Sequence, residues 1–176
     1  MEEKIKVFFF TYLLKLSHFC KIILDVFSLY DLLDDVPVLS VIPSNKEFEA
    51  LDWLKSRVEL LKDGNNEMQD FDFWNAKSIY FYDKDNNVVE LIARKNLNNK
   101  SSHKFGGNDL LEISEIGLPT LDIEKEFSQL SRLTGIAVFD GGFDRFCAIG
   151  DERGMFICID RNVKGWFPNN DQAFPS

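Results

Sequence analysis

Histidine, cysteine and clustered basic residues are scarce in this sequence, and each scarcity argues against a class of site. The 176 residues include two histidines and three cysteines, with no Cys-x-x-Cys pair, which argues against a structural zinc site or a thioredoxin-type centre. The net charge of −9 comes without a basic stripe, so nucleic acid is not an expected partner. Cys147 and Cys158 lie in apolar runs, which favours buried thiols in a reducing cytoplasm.

Several familiar ligand-binding motifs are also absent. The chain has no G-x-G-x-x-G, no G-x-x-x-x-G-K-[ST] and no G-x-S-x-G, so phosphate-binding loops and nucleophile elbows lack support. The segment Asp83–Asn87 slightly resembles a calcium loop. It lacks the glycine and the final glutamate that such a loop needs, so a hairpin turn is the better interpretation.

An uninterrupted membrane-length apolar run is missing as well. Val7–Phe27 has the length of a membrane span, but Lys15, Lys21 and Asp25 interrupt it, and each such charge costs about 2.5–3.5 kcal/mol near the centre of a membrane helix. The acidic start and the lack of an Ala-x-Ala site argue against a signal peptide. We therefore expect residues 1–35 to form an atypical helical segment that packs on the rest of a cytoplasmic protein, with no membrane partner.

The sequence contains a repeat, and this repeat is its most informative feature. Lys46-Glu47-Phe48 is followed by Leu51, and Lys125-Glu126-Phe127 is followed by Leu130 at the same spacing. In each copy, an apolar run ending in proline and a polar cap precede this helix, and two apolar runs joined by a tight polar turn come later. A duplicated unit of this size predicts two small modules that bury their faces against each other.

The first copy gives a strand, a helix and then three strands. Ser44 or Asn45 can cap its helix, the polar segment 63–72 reads as a surface loop, and Asn86 and Asn87 suit a hairpin turn. The predicted strands are Val36–Ile42, Val58–Lys62, Ala76–Asp83 and Val88–Arg94.

The second copy repeats that order. Its helix is predicted at Asp122–Leu133 with an end at Gly135, and the predicted strands are Leu110–Leu118, Ile136–Asp140, Phe143–Gly150 and Met155–Asp160. The fold class is therefore α+β, with two tandem βαβββ modules at 36–95 and 109–168 and a linker at 96–108. The tail Trp166-Phe167-Pro168 either packs over an open face or acts as a lid.

Helical spacing also predicts which side chains of the two helices face the sheet. In the first copy the apolar stripe consists of Phe48, Leu51 and Leu54, and in the second copy it includes Leu130 and Leu133.

The hairpin pattern of the first copy resembles a known superfamily. The run Ile79–Arg94, read as Ile-Tyr-Phe-Tyr-Asp-Lys-Asp-Asn-Asn-Val-Val-Glu-Leu-Ile-Ala-Arg, resembles the "YFxDPDGNxxEfia" hairpin of the vicinal oxygen chelate superfamily. This superfamily includes glyoxalase I, bleomycin-resistance proteins, fosfomycin-resistance enzymes and extradiol dioxygenases. Ile113–Pro119 resembles the strand that opens each of its modules, and Gly150–Ile157 with Trp166–Pro168 resembles glyoxalase-like members.

The resemblance implies a U-shaped cleft in which first and last strands of the modules hold a divalent metal ion as a Lewis acid. Glu90 stands at the last-strand position of the first copy, and Glu115 at the first-strand position of the second. The two remaining positions fall near Val36 or Pro37 and near Ile157, and none of these side chains binds a metal. The resemblance therefore implies that Glu90 and Glu115 are metal ligands in an incomplete site.

Three classes of function remain open at this stage. The first is a metal-dependent lyase, isomerase or ring-cleavage dioxygenase. The second is a metal-free protein that binds a small organic molecule, with Phe81, Phe146 and Phe156 lining the cleft. The third is a non-catalytic interaction module whose N-terminal segment docks a partner or a second copy of the chain in a homodimer. A further hypothesis is that the chain has lost the module that would complete the metal site, or that residues 1–35 replace that module.

Overall fold

A computed structural model describes residues 38–173. The predictions for residues 1–35, including the N-terminal helix and the lost module, lie outside the described residues. Within the described range, no helix is both long enough and apolar enough to cross a membrane.

Two α-helices and nine β-strands account for most of this range. Helix α1 spans Glu47–Lys55 and helix α2 spans Ile123–Thr134. In chain order, the strands are β1 Val38–Ile42, β2 Leu60–Leu61, β3 Gln69–Phe71, β4 Ala76–Tyr82, β5 Val88–Arg94, β6 Glu112–Thr120, β7 Val138–Gly141, β8 Phe146–Asp151 and β9 Gly154–Asp160. Single turns of 3₁₀-helix occur at Asp72–Trp74 and Gly107–Asp109.

All nine strands belong to one mixed sheet. Its strand order is β2-β4-β5-β1-β6-β9-β8-β7, and β3 pairs with β4 at one side. Strand β1 is parallel to β5 and antiparallel to β6, while β6 is parallel to β9. The fold is therefore α+β, with a large mixed sheet and two helices, and the pairing of β1 with β6 forms a seam between its two halves.

The hairpin of β4 and β5 forms where the turn residues predict it. The Asp83 carboxylate accepts hydrogen bonds from the backbone N–H groups of Asp85 and Asn87 at 2.9 and 2.8 Å. Asn86 adopts the left-handed conformation with φ of 66°, which asparagine tolerates better than most residues. The side chain of Asp83 thus closes the turn together with backbone bonds from Asp83 N–H to the Asn87 carbonyl and from Asn86 N–H to the Asp83 carbonyl.

The ends of the two helices differ in how they are capped. Asp122 caps α2 by accepting the Lys125 N–H at 2.9 Å, and Gly135 ends it with φ of 74°, which is a left-handed position that suits glycine. Helix α1 has Lys46 at its N-cap and no side-chain capping bond. The predicted cap at Ser44 or Asn45 is wrong because both residues lie in a turn that Lys46 N–H closes onto the Pro43 carbonyl.

The helices cover one face of the sheet. Leu54 of α1 packs with Leu91 and Ala93 of β5, and Ile123 of α2 packs with Cys147 and Cys158. Both cysteines are buried and free, as the sequence indicated. The opposite face of the sheet is left for a cleft.

Two residues of the predicted helical stripes point away from the sheet. Phe48 is 65% exposed and Leu133 is 72% exposed, so the prediction is wrong for both. In α1 the buried positions are Glu47, Ala50 and Leu54, which fall on one side of the helix and leave Phe48 about 100° away from Glu47. Leu51 and Leu130 are half-buried.

The polar segment 63–72 is also more ordered than expected. Its last residues form β3, which pairs with β4. Phe71 and Trp74 then pack against the buried cluster of Val41, Ala76 and Ile92. A segment that reads as a surface loop thus supplies aromatic residues to the face of the sheet opposite the helices.

The packing of α1 predicts a sharp contrast between two of its apolar residues. We expect Leu54→Ala to lower the free energy of unfolding by about 2–5 kcal/mol, because a buried leucine leaves a cavity when it is truncated. We expect Phe48→Ala to change it by less than about 0.5 kcal/mol, because most of that ring is in solvent. Urea unfolding of both variants measures this difference, and equal losses would contradict the assigned helix face.

Candidate functional site

A row of paired residues crosses the face of the sheet opposite the helices. Leu39 of β1 pairs with both Glu90 of β5 and Glu115 of β6. Glu90 also pairs with Tyr80, and Glu115 pairs with Met155. Side chains of paired residues in adjacent strands project from the same face of a sheet. Both carboxylates therefore stand on one face, on either side of Leu39.

Four residues of this row, Leu39, Tyr80, Glu90 and Glu115, form the floor of a cleft of about 400 Å³. The volume lies within the range of small-molecule sites, which are typically apolar with a few polar groups. Within the described range, seven aromatic residues line it, and its charged lining residues are two glutamates, one aspartate and one lysine. The lining consists of Leu39, Phe71, Phe73, Trp74, Tyr80, Val88, Glu90, Glu115, Gly117, Asp140, Gly141, Phe146, Ile157, Lys164, Trp166 and Phe167.

One buried cation accompanies the two buried glutamates. Arg94, fully buried at the end of β5, donates a hydrogen bond from Nη2 to Glu115 Oε1. The Arg94 Nε and Nη1 atoms have no hydrogen-bond partner within residues 38–173. The guanidinium carbon lies 5.4 Å from the centroid of the Trp74 ring, a distance at which a cation is attracted to the ring. Glu115 is thus compensated by an internal cation.

Glu90 is in a different electrostatic position. Its side chain is almost completely buried, and it forms no ion pair with any residue in 38–173. Burial, together with the neighbouring Glu115 carboxylate, raises the pKa of Glu90 to about 8, although the Ser78 and Tyr80 hydroxyls and Arg94 lower it in part. Glu90 is therefore mainly protonated at neutral pH.

Burial also changes the acidity of the groups around Glu90. The pKa of Tyr80 lies well above its usual value because of burial and the nearby Glu90. Burial raises the pKa of Glu115, and Arg94 opposes that rise. Lys164 has a lowered pKa, first because it is partly buried and then because Arg145 is near.

Trp74 holds the two sides of the cleft together. Its indole Nε1 donates a hydrogen bond to Asp140 Oδ2 at 2.8 Å, which links the segment after β3 to strand β7. The Trp74 ring also lies 5.5 Å from Phe139 and 6.4 Å from Phe146 between ring centroids. The position of this single side chain therefore sets the width of one end of the cleft.

The C-terminal tail forms another part of the wall. Phe167 packs edge-on against Tyr80 and Phe71, with ring centroids 5.3 and 6.1 Å apart. Tyr82 donates a hydrogen bond to Asp171 at 2.5 Å, which fastens the tail to β4. Trp166 is buried, and its Nε1 has no hydrogen-bond partner within residues 38–173. The tail packs on the open face of the sheet and supplies rings to the cleft at the same time.

Of the three phenylalanines expected in the cleft, only Phe146 lines it. Phe81 packs against the cluster under α1, and Phe156 packs against the cluster under α2. Tyr80 and Ile157 take the cleft positions instead, because successive residues of a strand point to opposite faces. Alternation along β4 and β9 could have identified both from the sequence.

The residues in the floor do not match the ligand set of a typical transition-metal site. The first-strand residue in the row is Leu39, where the sequence suggested Val36 or Pro37, and the last-strand residue is Met155, where it suggested Ile157. Two of the four positions are thus apolar. Within residues 38–173, no three His, Cys, Asp or Glu side chains are grouped so that they could hold a metal ion, whereas such a site usually needs three or four ligands.

Chemically, this arrangement combines aromatic surface with one carboxyl group that changes its charge near neutral pH. A protonated Glu90 can donate a hydrogen bond, and an ionised Glu90 can hold a cation. The other two carboxyl groups of the cleft have partners already. Glu115 is paired with Arg94, and the two oxygens of Asp140 accept hydrogen bonds from Trp74 Nε1 and Gly141 N.

Comparison with known proteins gives a distant likeness to solved structures. No family model matches the chain, and no curated protein matches it. A solved structure described as a "putative dioxygenase" from Bacillus subtilis subsp. subtilis str. 168 superposes with a TM-score of 0.49 at 15% sequence identity. The superposition covers 70% of this chain and 39% of that chain, so this protein spans less than two thirds of its length.

The ion pair in the floor predicts that loss of Arg94 strongly destabilises the protein and that a second substitution, at Glu115, restores most of the lost stability. We expect Arg94→Met to cost about 3–5 kcal/mol of unfolding free energy, because it leaves Glu115 buried beside Glu90 without a cation. Adding Glu115→Met should restore most of that loss, because a fully apolar replacement removes the uncompensated charge. Urea unfolding at neutral pH tests both variants, and a double variant no more stable than Arg94→Met would contradict the pairing.

The raised pKa of Glu90 predicts that its contribution to stability falls as pH rises. The folded protein retains a proton on Glu90 up to a pH of about 8, whereas the unfolded chain loses it near pH 4.3. The folded state therefore binds more protons between these values, and stability declines with pH by up to about 1.4 kcal/mol per pH unit. We expect Glu90→Gln to remove this decline, so that the variant gains on the wild type between about pH 5 and pH 8.

Thermal unfolding of both proteins across this range measures the effect. The exposed residue Glu124 of α2 provides a control, since Glu124→Gln should follow the wild-type curve. A difference between wild type and Glu90→Gln that does not change with pH would contradict the assignment of the raised pKa.

Proposed function

We propose that this protein binds a flat apolar or aromatic organic molecule in its cleft and does so without a metal ion. The observation that carries this proposal is the cavity of about 400 Å³, whose walls are mainly aromatic rings. Cavities of this size and composition bury most of the surface of a small ligand. Aromatic walls also offer the stacked and edge-on contacts that planar ligands prefer.

We further propose that the sheet consists of two βαβββ modules joined through β1 and β6, as in the vicinal oxygen chelate superfamily that the sequence resembles. In support, the first strand of each half is parallel to the last strand of the same half, β1 to β5 and β6 to β9. A helix follows the first strand in each half. This arrangement would explain why the cleft lies on the face that the helices leave open.

The walls are fixed in advance by contacts that do not involve a ligand. Trp74 is held by Asp140, and the tail is held by the bond between Tyr82 and Asp171. Phe167 in turn rests on Tyr80 and Phe71. Because these rings are already positioned, a ligand loses little affinity to ordering the site.

Metal-free binding is favoured over a metal-dependent lyase, isomerase or dioxygenase by the residues of the floor. A Lewis-acid mechanism would need the two glutamates and further ligands around one ion. Here Leu39 and Met155 fill the other positions of the row, and Arg94 supplies the positive charge beside Glu115. We therefore propose that the cleft binds its ligand through aromatic contacts and not through a metal ion.

A neutral aromatic probe tests the binding proposal. We expect 2-naphthylmethanol to bind the wild-type protein with a measurable heat of binding and to raise its melting temperature, because binding to the folded state stabilises it. Phe146→Ala should weaken the affinity by about tenfold, the equivalent of about 1.4 kcal/mol of lost ring contact. Phe48→Ala is the matched control, because its ring is on the outer side of α1. Equal affinities of both variants would contradict binding in the cleft.

Metal analysis tests the other half of the proposal. We expect the purified protein to carry far less than one equivalent of any divalent transition metal after dialysis against each metal in turn. Approximately one equivalent in the wild type, lost on both Glu90→Gln and Glu115→Gln, would instead support the metal-dependent enzyme.

A further inference from the structure

The charges that line the cleft favour one kind of ligand over others. Among residues 38–173, three of its lining side chains carry carboxyl groups, Glu90, Glu115 and Asp140, and Lys164 supplies an ammonium group. Arg94 is not one of the lining residues, and its guanidinium donates a hydrogen bond to Glu115. With Glu90 ionised, the five groups carry three negative and two positive charges, so the cleft has an excess of one negative charge.

The rings of the cleft already attract cations from within the protein. The Arg94 guanidinium lies 5.4 Å from the Trp74 ring centroid, and Lys164 Nζ lies 5.8 Å from that of Phe146. Both distances are within the range of cation–π attraction, which is the interaction by which aromatic cages recognise quaternary ammonium groups. The walls thus have the electronic character that such a ligand requires.

Of the two buried glutamates in the cleft, Glu90 is the one that has no ion-pair partner within residues 38–173. Glu115 has Arg94, and the oxygens of Asp140 accept bonds from Trp74 and Gly141, whereas no ion pair involves Glu90 within residues 38–173. The groups that face Glu90 are Glu115 of β6, Arg94 of its own strand, and Tyr80 and Ser78 of β4. A buried carboxyl group in these surroundings gains most from an added positive charge.

We infer that the cleft is specific for an organic cation, namely an amine or quaternary ammonium group attached to a flat apolar ring, with the charge against Glu90 and the ring between the aromatic walls. This inference rests on the proposed function, and it names the chemical class of the ligand. An anionic ligand is disfavoured, because it would place a further negative charge beside Glu90 and Glu115.

Three probes that share one ring system and differ in charge test the inference. They are 2-naphthylmethyl(trimethyl)ammonium, 2-naphthylmethanol and 2-naphthoate, each titrated calorimetrically at about pH 9, above the pKa of Glu90, in about 0.15 M salt to screen the net negative charge of the protein. We expect the cation to bind at least about tenfold more tightly than the alcohol, and the carboxylate to bind most weakly.

Substitution of Glu90 tests whether the preference for the cation depends on the carboxylate of this residue. In Glu90→Gln the affinity for the cation should fall about tenfold, to near that of the alcohol, so that the preference for the cation is lost. Glu124→Gln on the exposed side of α2 has the same change of charge and should retain the wild-type preference for the cation.

The outcomes separate this inference from the proposed function. If the alcohol binds the wild type and the cation has no advantage, the inference is overturned and the binding function stands. A cation preference that survives in Glu90→Gln, or that Glu124→Gln abolishes equally, also overturns it. If none of the three probes binds the wild type, both the inference and the proposed function fail.

Discussion

The structure depends most on the charge balance of three buried groups, Glu90, Glu115 and Arg94. Two carboxyl groups share one guanidinium in a place almost closed to water. Buried charges are costly unless they are paired, and two neighbouring carboxylates cannot both ionise easily. Glu115 takes the cation and Glu90 takes a proton near neutral pH. Because one carboxyl group is paired with a cation and the other is protonated, both can be buried in the floor of an apolar cleft.

The same ion pair crosses the seam between the two halves of the sheet. Arg94 is on β5 and Glu115 is on β6, with β1 between them. Separation of β1 from β6 would therefore expose a charged pair as well as break a strand ladder. Trp74 connects this ion pair to the wall of the cleft, because its ring lies over the Arg94 guanidinium and its Nε1 donates a hydrogen bond to Asp140 on β7. Floor and walls are consequently coupled, and the shape of the cleft is tied to the charge beneath it.

The sequence was most informative where structure is determined locally. The hairpin around Asp83–Asn87 and the helix from Asp122 to Gly135 follow from turn and capping residues, and the structure has both. The exposed positions of Phe48 and Leu133 were missed because an apolar residue at roughly helical spacing need not lie at the centre of the buried face of a short helix. A local pattern thus predicts that a helix forms more reliably than it predicts which side of the helix faces the sheet.

The site was less predictable because it is assembled across strands. The register that places Leu39 between Glu90 and Glu115 is set by pairing at the seam, and no local motif encodes it. Arg94 gave no signal, since an arginine at the end of an apolar strand usually reaches solvent. The role of Trp74 was not predicted either, because it follows a polar segment that reads as a surface loop.

The Arg94 guanidinium gives the floor a different charge from the one that a divalent ion would give it. A divalent ion with two carboxylates would leave a neutral floor that binds ligand oxygens as a Lewis acid. A single guanidinium neutralises one carboxylate only, and the second must hold a proton or find another cation. The floor is therefore neutral when Glu90 is protonated and negative when it is not. Leu39 and Met155, two further residues of the row, carry no charge. An ionised Glu90 is therefore the group of the floor that a positive charge would neutralise, and the aromatic walls above it also favour a cationic ligand.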